Sequence, residues 1–340
     1  MSAASSVRLT LTVGALSLAA CGESSSPTQP EAPVPATSVP SFAQVSNTWT
    51  PRAAFPDPEG REFSLGAVPN SAGQSIVYAF GGTDMMGGSC FPTQIYNAAT
   101  NSWSGSKSTP VCERSTNGVG RIKGKLYLTG GYAGQFVDGL SASTFMYDPV
   151  TDKLTRKADT PKFTAEGVSG VIEDKLYVLP GSCDGSRWPA VGYCDHTEFL
   201  RLWRYNPATN LWATKRLAPH NHELGAGGAI NGKFYVVGGR TAGSNNLDVY
   251  DPVTDTWKTL APLPLAGRAT GTVVQGKLFV VAWNENNFPA GPRLYAYNPA
   301  TNTWASKASP SHRGPVVRVD IGGVPYLLLV SGTGSELYKP

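Results

Sequence analysis

A motif that recurs five times along the chain constrains the fold more than any other feature. Each copy places a tyrosine, a polar turn and a final apolar residue at fixed spacing, as in residues 205–212, Tyr-Asn-Pro-Ala-Thr-Asn-Leu-Trp. The other copies span residues 96–103, 147–154, 250–257 and 297–304, and Leu154 replaces the tryptophan in one of them. Asn, Asp and Pro favour tight turns, because the Asn and Asp side chains hydrogen-bond the local backbone and Pro presets φ. The motif therefore predicts a β-hairpin in each copy.

A second element lies upstream of the hairpins, where a turn residue leads into an apolar strand that ends mostly in two glycines. Residues 232–239, Gly-Lys-Phe-Tyr-Val-Val-Gly-Gly, show it most fully. Related segments occur at residues 76–82, 124–131, 174–181, 276–283 and 325–332, with Pro180-Gly181 and Ala282-Trp283 in place of two of the pairs. Consecutive glycines permit positive φ and close approach of two backbones. We expect this close approach of backbones where neighbouring sheets crowd around a central channel.

Together, the double glycine, the tyrosine and the terminal tryptophan resemble the Kelch repeat, and the resemblance covers residues 45–340. It implies an all-β fold, a six-bladed β-propeller with four antiparallel strands per blade. Six glycine-type strands but only five hairpins leave the last blade one strand short. The orphan segment Val45–Trp49 matches the missing strand, so we expect it to close the last blade beside Ser335–Tyr338. An open blade would expose unpaired backbone groups at its edge.

The N-terminus resembles that of an exported bacterial lipoprotein. After Arg8 comes an apolar stretch that is too short to span a bilayer but fits a secretory signal, and Leu18-Ala19-Ala20-Cys21 resembles a lipobox. We assign residues 1–20 to a lipoprotein signal peptide, 21–41 to the lipidated Cys21 and a Ser/Pro-rich tether, and 42–340 to the propeller. The alternative is an ordinary cleaved signal with a chance cysteine.

This N-terminus also predicts where the protein resides. We expect a lipid-anchored location in the bacterial cell envelope, and Gly22 after the cysteine suggests the outer membrane, either periplasmic or surface-exposed. The lipid is then the one expected contact with the membrane.

Four cysteines remain after lipidation, namely Cys90, Cys112, Cys183 and Cys194. An even number in an exported chain favours disulfides over metal or catalytic thiols. Three pairings are possible. We favour Cys183 with Cys194, since they close a short loop, which leaves Cys90 with Cys112 by elimination. Free thiols are the alternative.

Composition limits the kinds of partner. The formal net charge is +4 without a basic cluster, so nothing indicates nucleic-acid binding. We expect a monomer that binds a protein or a glycan.

Propellers bind ligands mainly through the loops at one mouth, so candidate site residues are sought there. Arg, Trp and Tyr in a disulfide-bonded loop suit sugar or peptide recognition, and cations beside carboxylates suit an anionic ligand. His220-x-His222 lacks a clear third ligand, so no metal site is assigned. The ligand-binding candidates are Arg114, Arg187, Trp188, Tyr193, His222, Glu223, Arg268 and Arg313.

Enzymatic motifs are mostly missing from the sequence. It contains no Gly-x-Ser-x-Gly, Walker or dinucleotide motif, and it offers no recognisable copy of the copper site of galactose oxidase. The sialic acid mutarotases are closer in shape, and Arg114, Arg313, Glu223 and Glu166 are possible counterparts of their Arg and acidic residues. We assign no catalytic residue and no cofactor. The expected function is a binding module, and the alternative is a carbohydrate-active propeller such as a mutarotase-like isomerase.

The lipoprotein assignment is tested by Cys21→Ser. Because the cysteine thiol is the acceptor for the lipid, this change should release the protein from membranes and abolish labelling with radioactive palmitate. Labelling that persists at the wild-type level would refute the assignment.

Overall fold

The computed structural model describes residues 44–56, 62–81, 90–106, 111–133, 139–182, 197–240, 244–284 and 291–340. These ranges hold 24 β-strands and one short 3₁₀ helix, Glu198–Leu200. In the same ranges no helix is long and apolar enough to cross a membrane. The compact unit comprises Phe42–Pro340. The assignments made for residues 1–41, Cys21 among them, fall outside the described ranges and stay predictions.

The strands form six antiparallel sheets of four, arranged as the blades of a β-propeller, which confirms the predicted fold class. Blades 1 to 3 consist of β2 Ser64–Pro69, β3 Ser75–Phe80, β4 Gln94–Asn97 and β5 Ser102–Gly105; β6 Val119–Ile122, β7 Lys125–Thr129, β8 Thr144–Asp148 and β9 Lys153–Arg156; and β10 Val168–Ile172, β11 Lys175–Leu179, β12 Arg201–Asn206 and β13 Leu211–Leu217. Blades 4 to 6 consist of β14 Ala226–Ile230, β15 Lys233–Val237, β16 Leu247–Asp251 and β17 Thr256–Thr259; β18 Arg268–Val274, β19 Lys277–Trp283, β20 Arg293–Asn298 and β21 Thr303–Lys307; and β22 Val316–Ile321, β23 Val324–Ser331, β24 Gly334–Lys339 and β1 Thr48–Arg52.

The hydrophobic core lies between the blades rather than within one layer. Six buried clusters each join one blade to the next, and one of them connects blade 6 to blade 1. In the cluster between blades 1 and 2, for example, Phe80 packs with Leu126 and Leu128. Alternate residues of the second strands face opposite neighbours, because side chains alternate across a strand. Each blade thus buries both of its faces.

The recurrent hairpin forms a latch that joins each blade to the one before it. A buried tyrosine hydroxyl hydrogen-bonds the hairpin Asn or Asp, which has a φ between +50° and +58°. These O–O distances are 2.5–2.9 Å for Tyr96–Asn101, Tyr147–Asp152, Tyr205–Asn210, Tyr250–Asp255, Tyr297–Asn302 and Tyr338–Asn47. The tryptophan indole of the motif then donates to a carbonyl at or just after the end of the last strand of the preceding blade, as Trp304 Nε1 does to Ala261 at 2.9 Å.

The N-terminal strand closes the ring, as the repeat count predicted. β1 pairs with β24 in antiparallel register, with Trp49 opposite Tyr338. The strand runs from Thr48 to Arg52 rather than from Val45 to Trp49, because Ser46 and Asn47 form the turn of the latch and Val45 is exposed. Trp49 packs on Tyr338 at 5.1 Å between ring centroids and donates to the Ala308 carbonyl. Asn47 therefore completes the sixth latch from the other end of the chain.

The glycine pairs lie where the second strands meet the blade connections, the segments that precede each inner strand. A Cβ on Gly81, which has a φ of +90°, would lie 2.1 Å from the Glu113 carbonyl oxygen of the next connection. A Cβ on Gly181 would lie 2.1 Å from the Glu166 carbonyl oxygen. The crowding predicted for the central channel is thus a contact with the connections instead. This close approach excludes any side chain at either position.

One disulfide adds a covalent cross-link. Cys90 and Cys112 are bonded and 22 residues apart in sequence, as the pairing by elimination proposed. Closing a loop of this length stabilises the fold by about 3 kcal/mol in the chain-entropy picture. Cys183 and Cys194 lie outside the described residues, so their pairing stays a prediction.

Ring closure predicts a specific cost for Asn47→Gly. Glycine keeps the positive φ but removes the amide that Tyr338 and the Ala308 N–H contact, at 2.9 and 3.0 Å. The free energy of unfolding should fall by about 1–3 kcal/mol, because a buried hydroxyl loses its partner. Asn302→Gly, the same change within blade 5, should cost a similar amount in urea denaturation. A loss from Asn302→Gly with none from Asn47→Gly would show that the N-terminal strand does not close the ring.

Candidate functional site

The blade topology brings two sets of segments to one face of the ring, which we call the mouth. All six inner strands run in the same direction, so the blade connections before them meet at one end of the axis. The loops that follow the second strands return to that same end, because the second strand is antiparallel to the first. The hairpins that carry the latches lie at the other end of the third and fourth strands.

A cavity of about 770 Å³ extends along the axis of the ring. Its walls are the inner strands, rich in Gly, Ala, Val and Thr, and its far end includes Arg121, Arg318 and Asp320. At the mouth, residues at or just before the start of the six inner strands form the rim, namely Glu62, Ser115, Glu166, Leu224, Arg268 and Arg313. The volume and the few polar rim groups are typical of ligand sites.

Both the backbone and the side chain of Glu166, a rim residue, are held by hydrogen bonds. It has a φ of +58°, and its backbone N–H and C=O bond to Ser115 and Leu224 of the neighbouring connections. Its carboxylate is buried, with 5% of the side chain exposed. Arg240 Nη2 donates to both carboxylate oxygens at 3.0 Å. The backbone thus holds this carboxylate at the edge of the cavity.

Glu223, Ser182 and Tyr132 complete a hydrogen-bonded cluster with Glu166 and Arg240. Ser182 Oγ lies 2.9 Å from Glu166 Oε2 and 3.1 Å from Glu223 Oε1. Tyr132 donates to Glu166 Oε2 at 3.2 Å, and Arg240 Nη1 lies 3.2 Å from Glu223 Oε1. The two carboxylates therefore share the Arg240 guanidinium and the Ser182 hydroxyl, and the Tyr132 phenol bonds Glu166.

The titration of this cluster follows from its burial and its charges. Burial raises the pKa of Glu166 above its usual value and the nearby Glu223 carboxyl raises it further, whereas Arg240 and Ser182 act in the opposite direction. Burial, opposed by the Ser182 hydrogen bond and reinforced by Glu166, raises the pKa of Tyr132 to about 12. Two close carboxyl groups in a partly dry site can retain and exchange a proton. The cluster can therefore act on a ligand as an acid, a base or a hydrogen-bond partner.

A second ion pair lies beside the cluster. Arg114 Nη1 contacts Glu62 Oε2 at 3.0 Å, and the Arg114 guanidinium lies 5.2 Å from the centre of the Tyr132 ring. Ser115 Oγ donates to the same Glu62 oxygen at 2.5 Å. Blades 1 to 3 are thus connected at the mouth by Arg114, Tyr132 and Glu166.

The two histidines of the blade 3–4 connection converge on one aspartate. His220 Nδ1 and His222 Nε2 lie 2.8 and 3.0 Å from Asp248 Oδ2, and His222 Nδ1 lies 2.9 Å from the Gly238 carbonyl. Burial raises the pKa of Asp248, but hydrogen bonds from His222, Thr259 and His220 outweigh it and bring the pKa below its usual value. His222 is 1% exposed. Its role in ligand binding stays a prediction, and in the fold it braces the segments that carry Glu223 and Arg240.

The structure brings together four of the sequence-predicted candidates and adds others. Arg114, Glu223, Arg268 and Arg313 all lie at the mouth. Arg187, Trp188 and Tyr193 lie outside the described residues, so their roles stay predictions. Sequence reasoning missed the roles of three residues that follow the glycine-type strand ends, Tyr132, Ser182 and Arg240. Their position directly after that element was the signal that could have identified them.

Comparisons with known proteins agree with the repeat. A model of the Kelch motif matches residues 113–156 and 225–264, which correspond to blades 2 and 4. Kelch-like protein terF of Aspergillus terreus is 28% identical over 230 residues, covering 63% of this chain and 49% of the relative. Kelch-like protein 23 of Homo sapiens is 24% identical over 267 residues, covering 76% of this chain and 44% of the relative.

A putative F-box/kelch-repeat protein of Arabidopsis thaliana is 28% identical over 226 residues, covering 63% of this chain and 59% of the relative. The chain thus spans about half the length of the curated relatives it matches. The comparisons support a six-bladed propeller built from Kelch repeats.

The Glu166–Arg240 pair predicts a pH-dependent effect of Arg240→Met. Without the guanidinium, ionised Glu166 is buried beside Glu223, so the free energy of unfolding at pH 8 should fall by about 1–2 kcal/mol. The raised pKa of Glu166 makes its protonated form favourable in the fold, so the loss should shrink as the pH falls towards 5.

The matched control is Arg318→Met at the far end of the cavity, where Arg318 pairs with exposed Asp320. It should cost under about 1 kcal/mol at both pH values. Urea denaturation at pH 5 and pH 8 measures both variants. Equal losses of unfolding free energy from Arg240→Met at the two pH values would refute the assignment of Glu166 as an ionised carboxylate that Arg240 stabilises at pH 8.

Proposed function

We propose that the protein is an exported, lipid-anchored propeller that binds a protein partner at its mouth. Kelch-repeat propellers are typically protein-interaction modules, which supports this class of function. The lipobox-like Leu18-Ala19-Ala20-Cys21 and the Ser/Pro-rich residues that follow it support the location in the cell envelope. A tether of this length would hold the propeller some tens of ångströms from the membrane, at about 3 Å per residue.

The observation that carries the proposal is the difference between the two ends of the blades. In every blade the hairpin has the same arrangement, a tyrosine bonded to Asn or Asp, and this arrangement stabilises the fold. The mouth instead differs from blade to blade, with Glu62, Glu166, Leu224, Arg268 and Arg313 at equivalent connections. Residues that vary among equivalent positions are not required by the repeat. They are therefore available for recognition.

The buried charges at the mouth support the same conclusion. Glu166 and Glu223 are held next to Arg240 although a buried ion pair contributes little to stability. Perturbed carboxyl groups in a cleft cluster at functional sites. A partner that covers the mouth would strengthen these interactions by removing water from them.

A second candidate function is that of a carbohydrate-active enzyme, which one observation favours. Glu166, Arg240 and Tyr132 converge at the rim of a deep cavity, and Glu166 has a raised pKa. A carboxyl group with such a pKa suits proton transfer to and from a sugar oxygen. The class of reaction that fits is a sugar isomerisation such as mutarotation.

Partner binding at the mouth is tested with Arg313→Glu and its matched control Arg318→Glu. Arg313 precedes β22 at the mouth, whereas Arg318 lies within β22, further along the cavity. The full chain, purified in detergent, is cross-linked to bacterial envelope proteins, and the products are quantified by mass spectrometry. Arg313→Glu should reduce the yield of a specific partner about tenfold, since reversing a charge at an interface costs more than 1 kcal/mol, whereas Arg318→Glu should not.

Equal yields from the two variants would contradict binding at the mouth. The same preparations distinguish the second candidate. Faster exchange between the anomers of N-acetylneuraminic acid in NMR spectra, abolished by Glu166→Gln, would favour the enzyme over the binding module.

A further inference from the structure

Exposed apolar side chains are concentrated at the end of the ring opposite the mouth, which we call the latch face. Among the described residues, seven large apolar side chains are exposed, and two of them, Phe163 and Leu217, lie at the mouth end. The other five lie in hairpins or at strand starts of the latch face, namely Val45, Val150, Leu211, Val253 and Val324. Large apolar side chains are usually buried, and a group of exposed ones marks an interaction surface.

The repeat places three of these valines at equivalent positions. Val150 and Val253, which are 92% and 91% exposed, occupy the fourth position of the hairpin motif, two residues before the Asp of the latch. Val45 likewise stands two residues before Asn47, in the latch that the N-terminal strand completes. These valines belong to blades 2, 4 and 6, and the three blades between them carry alanine at this position, namely Ala99, Ala208 and Ala300. A flat surface can therefore contact apolar hairpin tips all around the axis.

The acidic residues of the two valine hairpins hold partners within the fold. Asp148 and Asp251 form ion pairs with lysines of the neighbouring strands, Lys125 and Lys233. The Asp of each latch accepts the tyrosine hydroxyl of its own motif. A carboxylate with a cation beside it repels an anionic surface less than a free carboxylate does.

The chain enters the propeller on the latch face. β1 begins there, with Thr48 opposite Lys339, and runs towards the mouth. Gln44 is fixed at this entry point, because its Nε2 donates to the carbonyls of Thr48 and Leu337 at 2.7 and 2.8 Å. The tether predicted for residues 21–41 precedes Gln44 in the chain, so it joins the propeller at the same face as the exposed valines.

We propose that the latch face docks on the surface of a phospholipid bilayer, with its exposed valines among the lipid headgroups and the mouth directed away from the membrane. The inference rests on the proposed lipid anchor, and it adds the orientation of the propeller. A partner then reaches the mouth from the side that faces away from the bilayer. Apolar side chains enter the boundary between headgroups and acyl chains favourably, because water is released from their surface.

A weak contact is sufficient for this docking. Each valine buries little area, and the stabilisation is proportional to the apolar area removed from water. The lipid anchor confines the propeller near the bilayer, however, and a short flexible tether gives an effective concentration in about the millimolar range. Several valines that contact one surface together therefore need no high affinity of their own.

Photo-cross-linking of the full lipidated chain tests the orientation. The protein is purified in detergent and reconstituted into vesicles of phosphatidylethanolamine and phosphatidylglycerol. Benzoylphenylalanine replaces one exposed residue at a time, Val150 or Val253 on the latch face and Phe163 or Leu217 at the mouth end, and mass spectrometry quantifies the lipid adducts. The latch-face positions should give about tenfold more adduct, since burial of a few valines is enough for a preference of that size.

A probe at Leu211, in the blade between the two valine tips, reports on docking when those tips are changed. Val150→Asp combined with Val253→Asp should reduce the lipid adduct at Leu211 about tenfold, because apolar contacts are lost and charges must enter the headgroup region. The matched control, Phe163→Asp combined with Leu217→Asp, makes the same change of charge at the mouth end. It should leave the adduct at Leu211 unchanged.

The series of single probes decides the inference even if a double variant folds poorly, because each probe occupies an exposed position. Equal lipid adducts at the two ends would overturn the docking. Latch-face adducts to a second copy of the chain instead of lipid would also overturn it. So would equal reductions from the two double variants, or no reduction from either of them.

Palmitate labelling separates this inference from the proposed lipid anchor. If labelling depends on Cys21 but lipid adducts are equal at the two ends, the anchor stands and the docking alone fails. If Cys21 is not labelled, the anchor and the docking both fail. Binding of a partner at the mouth is decided independently by Arg313→Glu.

Discussion

The hydrogen bond from a buried tyrosine to the hairpin Asn or Asp is the interaction on which the rest of the ring depends. It fixes a left-handed residue at the turn, and the same side chain then accepts a backbone N–H from the preceding blade, as Asn210 does from Ala158 at 2.9 Å. Burial raises the pKa of Tyr205, Tyr297 and Tyr338 to about 12, so these hydroxyls stay protonated donors at physiological pH. In blade 2, where Leu154 lacks an indole, Ser106 Oγ donates to Asp152 at 2.6 Å and preserves the link.

The latch end of the blades thus stabilises the ring, and the mouth is the end proposed for recognition. The latches and the six clusters join each blade to the next by contacts away from the mouth. The connections are then free to carry different residues, provided that their backbones pass the glycines at the strand ends. Glu166 is an example, since its carbonyl lies against Gly181 and its side chain meets Arg240.

A buried polar side chain, the imidazole of His222, braces the mouth. His222 links the Gly238 carbonyl to Asp248, and its sequence neighbour Glu223 accepts the Arg240 backbone N–H through its carbonyl at 2.7 Å. The His222 imidazole therefore helps to hold both segments that carry the ion pair, the one with Glu223 and the one with Arg240. Such preorganisation lowers the cost of ordering these side chains when a ligand binds.

The sequence alone determined the fold, because the hairpin motif is local. The tyrosine, the turn and the tryptophan lie within eight residues, so each copy specifies its own geometry and the count of copies specifies the ring, including its closure by Trp49. The pairing of Cys90 with Cys112 was proposed by elimination, once Cys183 and Cys194 were paired as a short loop, and the structure has this bond. The strand start at Thr48 and the burial of His222 did not, because both depend on contacts made elsewhere in the fold. Only the tertiary structure decided that Glu166, Glu223 and Arg240 meet, since their backbones come from different blade connections and loops, and sequence separation carries no information about which of them share a side of the axis.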